Sequence, residues 1–301
     1  SRGLGDVYKR QVRVLSLNTH RGQGPTLRCL LEHGDPGERE RYRLLHQTRA
    51  YTYHIAEWLR RHAASYDVVA LQEVFRSLFG GVDRLWTRSA TQHVVYKTIS
   101  GYPRSYVYGC GLAAFRYENL MLSRLPRAEG PPPIQAALPG RVFRLATCGF
   151  TLAPLLVAGQ TVWFGNTHLH AYHPSKRARQ PECIARRIAE LGDVPVILMG
   201  DLNAVPLGGR DADPLEARRQ PKTYKGCRAL QVLEGAGLTS RAMRNDPALW
   251  THPVGIPNRT LDYVFASRHF ALEDYRVLQE FTLSDHYPVE ATLRLLLDRD
   301  D

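Results

Sequence analysis

The chain has no run of the roughly 20 apolar residues that a helix needs to cross a bilayer, so no transmembrane helix is expected. Cysteine is sparse: Cys29, Cys110, Cys148, Cys183 and Cys227 are an odd number without a C-x-x-C pair. That spacing fits reduced, unbridged thiols and speaks against a disulfide framework or a structural zinc site. No long block of like charges marks a solvated tail, and neither an internal repeat nor a linker divides the chain. No secretory signal is visible: Ser1 to Gln11 show neither strand nor helix periodicity and read as an extraneous leader. The default expectation is a cytoplasmic protein, and a native N-terminus lying upstream would leave secretion open.

Acid is in short supply too. Asp and Glu number 29 against 40 Lys and Arg, a formal charge of +11 that favours polyanionic partners such as nucleic acid or an anionic lipid surface. The composition, 44% hydrophobic and 23% charged, is otherwise that of a globular protein able to bury a sizeable core. One domain is expected from residue 12 to 297, as a monomer, with an acidic tail at 298–301.

What the chain does have is a series of apolar segments that end in polar clusters. In Val196 to Asn203, four apolar residues run into Gly200, Asp201, Leu202 and Asn203, the look of a buried strand whose end opens into a site. On an extended chain Asp201 and Asn203 point the same way, so both can reach one ligand. Taken alone, the octet fits a solvated turn equally well, because Gly, Asp and Asn favour turns.

Other polar clusters end such segments or lie beside them. Val12 to Leu17 alternates and delivers Asn18-Thr19-His20; Asp67 to Leu71 is a short strand with Gln72-Glu73 at its end. A carboxylate directly after a buried strand needs a partner, and a metal ion would supply one. Thr161 to Phe164, after a strand from Val142 to Val157, leads into Asn166-Thr167-His168-Leu169-His170. Leu261 to Phe265 carries Asp262 within it, and Ser284-Asp285-His286 precede a last strand in which Val289, Ala291, Leu293 and Leu295 share one face.

Two amphipathic helices are expected between these strands. Leu44, Tyr51, Ile55, Trp58 and Leu59 mark one over residues 44–63, and Ile184, Ile188 and Leu191 mark another with Lys176, Arg177, Arg179, Arg186 and Arg187 along its polar side. Residues 21–43, 130–140, 206–225 and 241–259 read as loops, and Asn119 to Ser123 as a further strand. Tyr96, Tyr102, Tyr106, Tyr108, Phe115 and Tyr117 lie among basic residues, where they pack strands, stack on bases or dip into a lipid interface.

Asn18, Glu73, His168, Asp201, Asn203, Asp262, Asp285 and His286 thus fall at or beside strand ends. Oxygen ligands in this mixture suit a hard cation such as Mg²⁺ or Mn²⁺, and the histidines suit phosphate contact or proton transfer. The chemistry that needs such a metal, a base and several donors to phosphate oxygens is phosphoester hydrolysis.

LSLNTHRG at Asn18, VVALQEVF at Glu73, NTHLHA at His168, GDLNAVP at Asp201, LDYVF at Asp262 and SDHYPV at Asp285 resemble the endonuclease/exonuclease/phosphatase superfamily, in its order, from Val12 to Leu295. Asn119 to Arg124 resembles its central strand motif, with Glu118 where a glycine is common. The resemblance implies a four-layer α/β/β/α sandwich of two mixed sheets flanked by helices. It implies a metal held by Glu73 and Asn18 with support from Asp285, and phosphate contacts from His168 and Asn203. His286, kept basic by Asp262, would be the general base, with Asp201 the competing candidate. The motif wording is most similar to neutral sphingomyelinase-type phosphodiesterases. The expected substrate is therefore a phospholipid headgroup or related small phosphodiester, with peripheral membrane contact, and the alternatives are a Mg²⁺-dependent nuclease and an inactive binding module.

Overall fold

The structure, a computed structural model, describes residues 10–25, 51–77, 92–112, 115–139, 148–211, 223–225 and 228–296. The leader up to residue 9, the start of the first expected helix, residues 140–147, most of the 206–225 loop and the tail lie outside them.

Twelve strands are described. In chain order they are β1 (Gln11–Asn18), β2 (Val68–Ser77), β3 (Arg104–Leu112), β4 (Phe115–Ser123), β5 (Ile134–Ala137), β6 (Gly149–Val157), β7 (Gln160–His168), β8 (Val196–Asp201), β9 (Leu238–Thr239), β10 (Asp262–Ser267), β11 (Phe270–Val277) and β12 (Val289–Leu295). They form two six-stranded mixed sheets, ordered β11-β12-β1-β2-β4-β3 and β5-β6-β7-β8-β10-β9. Among the described residues four helices accompany them: α1 (Tyr51–His62), α2 (Gln92–Ser100), α3 (Pro174–Ala189) and α4 (Ala229–Gly235).

Strand periodicity explains the layering. In β1, Val12 and Val14 enter the apolar cluster shared with the second sheet, while Leu15 and Leu17 pack with Ile55 and Leu59 of α1 and Val95 of α2. β2 divides likewise, Val68 and Ala70 to one side and Val69 and Leu71 to the other. Ile184 and Ile188 of α3, with Leu230 and Leu233 of α4, join the cluster of the second sheet. The expected α/β/β/α sandwich is the observed architecture.

Topology then gathers the polar strand ends at one rim. β1 and β2 run parallel with Asn18 beside Gln72, and β7 and β8 run parallel with His168 beside Asp201. β10 runs antiparallel to β8, so its first residue, Asp262, faces Asp201. Beneath this rim Asn166 ties the sheets together: its amide donates to the carbonyls of Leu71 (3.1 Å) and Leu120 (3.0 Å) and accepts from Gln72 (2.8 Å).

Four expectations change. The stretch 130–140, read as loop, carries β5, which pairs antiparallel with β6. β2 does not stop at Leu71 but bulges there and continues to Ser77. The stretch 241–259 is no open loop, for it holds two 3-10 turns and a bridge between His252 and Arg259. Arg177 does not lie on the polar side of its helix: it is fully buried on the stripe of Gln180, Ile184 and Ile188. Its guanidinium donates to the carbonyls of His170, Ala171 and Thr223.

Candidate active site

Glycine at 200 is dictated by close approach. Its φ is +150°, and a Cβ there would lie 2.0 Å from the carbonyl oxygen of Thr167 on the neighbouring strand. Asp201 follows, 1% exposed. Asn203 does not continue an extended chain, because its φ is +47°. The convergence expected from strand alternation comes instead from a tight turn in which Asp201 Oδ1 accepts from the backbone N–H of Asn203 (2.8 Å). Asn203 Nδ2 donates to His168 Nε2 (3.0 Å) and to the carbonyl of Leu169 (3.0 Å).

Glu73 sits on the β2 bulge, between Leu71 and Val74, with a φ of +54°. Thr19 holds the bulge by bonding the Gln72 carbonyl through both its backbone N–H (3.0 Å) and its hydroxyl (2.9 Å). The partner that the Glu73 carboxylate requires is present in the protein: Arg21 Nε donates to Oε2 at 3.0 Å. Its other oxygen lies 3.9 Å from His168 Nε2. Among the described residues, four of the five non-glycines at positive φ, namely His20, Arg21, Glu73 and Asn203, lie on this rim. Left-handed backbone is costly for such residues, and its concentration here marks a built site.

Asp201 is the hub. Its Oδ2 accepts from Asn18 Nδ2 (3.0 Å) and lies 3.5 Å from His168 Nε2 and 4.0 Å from His286 Nε2. Asn18 Oδ1 in turn accepts from the backbone N–H of His20 (3.0 Å), which leaves that oxygen a second lone pair. His286 Nδ1 donates to Asp262 Oδ2 at 2.7 Å, with both side chains buried. Burial pushes the Asp262 carboxyl up against the pull of His286 and raises the cost of an unpaired charge there. Burial disfavours the His286 imidazolium, yet Asp262, Asp285 and Asp201 outweigh it and carry His286 up to about 10.

The structure thus brings all eight candidates to one rim, with Asp285 among them on the His286 side. Asp201, Asp262 and His286 place one ligand atom each within 4.8 Å of one another, and so do His252, Asp285 and His286. Sequence reasoning missed Arg21, His20 and His252. His20 Nδ1 lies 3.5 Å from Asp285 Oδ1, and the signal for it was at hand, two residues past Asn18. Arg21 and His252 sit in stretches read as loop, with no local cue to their place beside the candidates.

A family model described as "Endonuclease/Exonuclease/phosphatase family" matches residues 31–286. No curated protein matches the chain. Among solved structures, an endonuclease/exonuclease/phosphatase from Beutenbergia cavernae is 22% identical over 95% of this chain and 72% of that one, with a TM-score of 0.68. A mannosyl-6-phosphatase of Bacteroides thetaiotaomicron is 15% identical over 94% and 99%, with a TM-score of 0.58. The human nocturnin catalytic domain with bound sulfate is 16% identical over 95% of each chain, with a TM-score of 0.57. These likenesses show a shared fold.

Proposed function

The chain belongs to the endonuclease/exonuclease/phosphatase family of hydrolytic phosphoesterases, and we propose that it cleaves a phosphodiester by in-line attack of an activated water. The observation that carries this reading is the buried Asp262–His286 pair at 2.7 Å, whose second imidazole nitrogen faces Asp201 across the rim from Asn203 and His168. A carboxylate that orients an imidazole and stabilises its protonated form is what proton transfer from water requires. His168 and Asn203 would hold the phosphate, and Asp285 would support the water.

The donor set fits a hard divalent cation. Glu73 is turned out of its ladder by the bulge, and Asn18 and Asp201 add oxygens, the ligands Mg²⁺ or Mn²⁺ prefer. Once bound, such a cation polarises the phosphoryl group and makes its water more acidic. By neutralising nearby carboxylates it would also weaken their hold on the His286 proton, so that His286 can act as base; Asp201 is the other group placed to do so. EDTA should abolish hydrolysis and added Mg²⁺ or Mn²⁺ restore it, while His286→Ala should remove turnover without unfolding the chain. Full activity in chelator sinks the reading.

For the substrate we favour a phospholipid headgroup or a related small phosphodiester at an anionic membrane surface. Leu207, in the turn that follows the site strand, is 90% exposed. Asn245 ties this turn to its own segment by donating to the Gly208 carbonyl (3.1 Å), and Arg210, Arg241 and Arg244 of these two segments are exposed. An apolar tip among cations suits a lipid–water interface. Of the features that favour nucleic acid, Tyr96, Tyr102 and Arg177 are buried and can neither stack on bases nor track phosphates, while Arg179, Arg186 and Arg187 remain exposed. Phosphocholine release from sphingomyelin vesicles against plasmid nicking, at two salt concentrations, tests the choice. Nicking that falls steeply with salt, without headgroup release, overturns it.

A further inference from the structure

We propose that His252, Asp285 and His286 form a second cation site, for a borderline ion such as Zn²⁺, beside the oxygen-lined place of the hard cation. His252 takes no part in the hydrolytic scheme above, yet it is only 5% exposed and packs its ring on that of His286, centroids 4.6 Å apart and tilted by 51°. The backbone holds it there from both sides. Val254 N–H donates to the Asp285 carbonyl (3.0 Å) and Tyr287 N–H to the Thr251 carbonyl (2.8 Å), so the segment carrying His252 is stitched to the one carrying Asp285 and His286. A bridge to Arg259 closes the third side: His252 N–H donates to its carbonyl (3.1 Å), and Arg259 N–H returns the bond (3.2 Å).

This places two imidazoles and one carboxylate with a ligand atom each within 4.8 Å of one another. Tetrahedral zinc, with bonds of about 2.0–2.2 Å, needs its ligand atoms about 3.4 Å apart, so modest side-chain rotation would close the set. A fourth position would stay open to water or a phosphate oxygen. Two nitrogens and one oxygen suit zinc or cobalt far better than Mg²⁺, which keeps to oxygen ligands and to the Glu73 side of the rim. Occupation has a chemical consequence, which rests on the role given to His286 above. A nitrogen that donates its lone pair to zinc cannot take a proton from water, so zinc would inhibit the hydrolysis that magnesium supports.

The test is zinc titration of the full chain by calorimetry in excess Mg²⁺, wild type against His252→Gln, with phosphodiester hydrolysis followed in parallel. The expected result is one zinc equivalent weakened at least about tenfold in the variant, together with loss of zinc inhibition and unchanged magnesium-supported turnover. Identical zinc isotherms, or none, overturn the site. Should His252→Gln not fold, cobalt(II) on the wild type decides: ligand-field bands that Mg²⁺ does not displace support the site, and their absence overturns it. His286→Ala assayed without zinc reads the hydrolytic scheme by itself, so failure of the one is distinct from failure of the other.

Discussion

Replacing Asp262 by Asn is the sharpest perturbation of this rim. The residue is wholly buried, and its Oδ2 lies 2.7 Å from His286 Nδ1, also buried. Asparagine keeps the shape and an acceptor oxygen but removes the charge. In an effective dielectric of about 20, opposite charges this close attract by about 4 kcal/mol or more, and breaking a buried pair costs about 3–5 kcal/mol. If the imidazolium forms as water is deprotonated, that loss falls on the transition state and slows turnover by about 10²–10⁴-fold. KM should barely move, because the phosphate contacts assigned to His168 and Asn203 are untouched. Of the groups that raise His286, Asp262 is the strongest, so His286 should fall from about 10 toward its ordinary range. The limb of the pH–rate profile that reports His286 should shift to lower pH with it. Steady-state kinetics on a generic phosphodiester with saturating Mg²⁺ check both. A kcat within about tenfold of wild type, or an unmoved profile, refutes the assignment of His286 and Asp262 as a working pair.

Glu73→Gln should raise the Mg²⁺ needed for half-maximal activity at least about tenfold, read from activation curves; an unchanged curve removes Glu73 as the principal ligand. Gly200→Ala should cost about 1–3 kcal/mol or more of stability in denaturant unfolding, because the added Cβ meets backbone, the Thr167 carbonyl 2.0 Å away, and cannot be relieved by a rotamer change. His170 is held down to about 4 by burial, then by His173, Lys176 and Arg177, and its Nδ1 accepts from the backbone N–H of Tyr172 (3.1 Å). The folded state therefore binds fewer protons than the unfolded one between the ordinary histidine value of 6.5 and about 4. Its contribution is full above that window and is lost as pH falls through it. Unfolding midpoints against pH should show His170→Asn losing less stability than wild type across the window, and parallel curves contradict the prediction.

How much of this was legible in the sequence depended on whether a residue's neighbours in sequence are also its neighbours in space. Strand positions were legible because burial on one or both faces imposes a visible pattern, as in the alternation of Val12, Val14, Leu15 and Leu17. The site residues were legible because parallel pairing and one antiparallel return bring strand ends to the same rim, leaving polar clusters at the ends of apolar runs. Arg177 was misread although the signal existed: stepping back seven residues from Ile184 lands on it, on the buried stripe. A charge was taken as a mark of solvent, when backbone carbonyls satisfy it inside. The pairing of Arg21 with Glu73 had no such signal, since 52 residues separate them and neither the bulge nor the turn leaves a local pattern.

That pairing bears on what the rim can do. Glu73, Asp201, Asp262 and Asp285 bring four carboxylates to the rim where the proposed reaction would hold a phosphodiester anion, and each would repel it by about 1–4 kcal/mol at 4 Å, depending on the dielectric. The +11 surface can draw an anion toward the rim, but the repulsion has to be offset within it. Arg21 is engaged by Glu73, and His286 by Asp262. His168 carries the Asn203 amide on its ring nitrogen and lies beside two of the acids. Each of these side chains is committed to a carboxylate or a carboxamide, so on the proposed reading the divalent ion would supply the charge that turns an acid-lined rim into a phosphate site. The bulge at Glu73 would serve that end, by taking a carboxylate out of the strand ladder and leaving it on the rim beside His168.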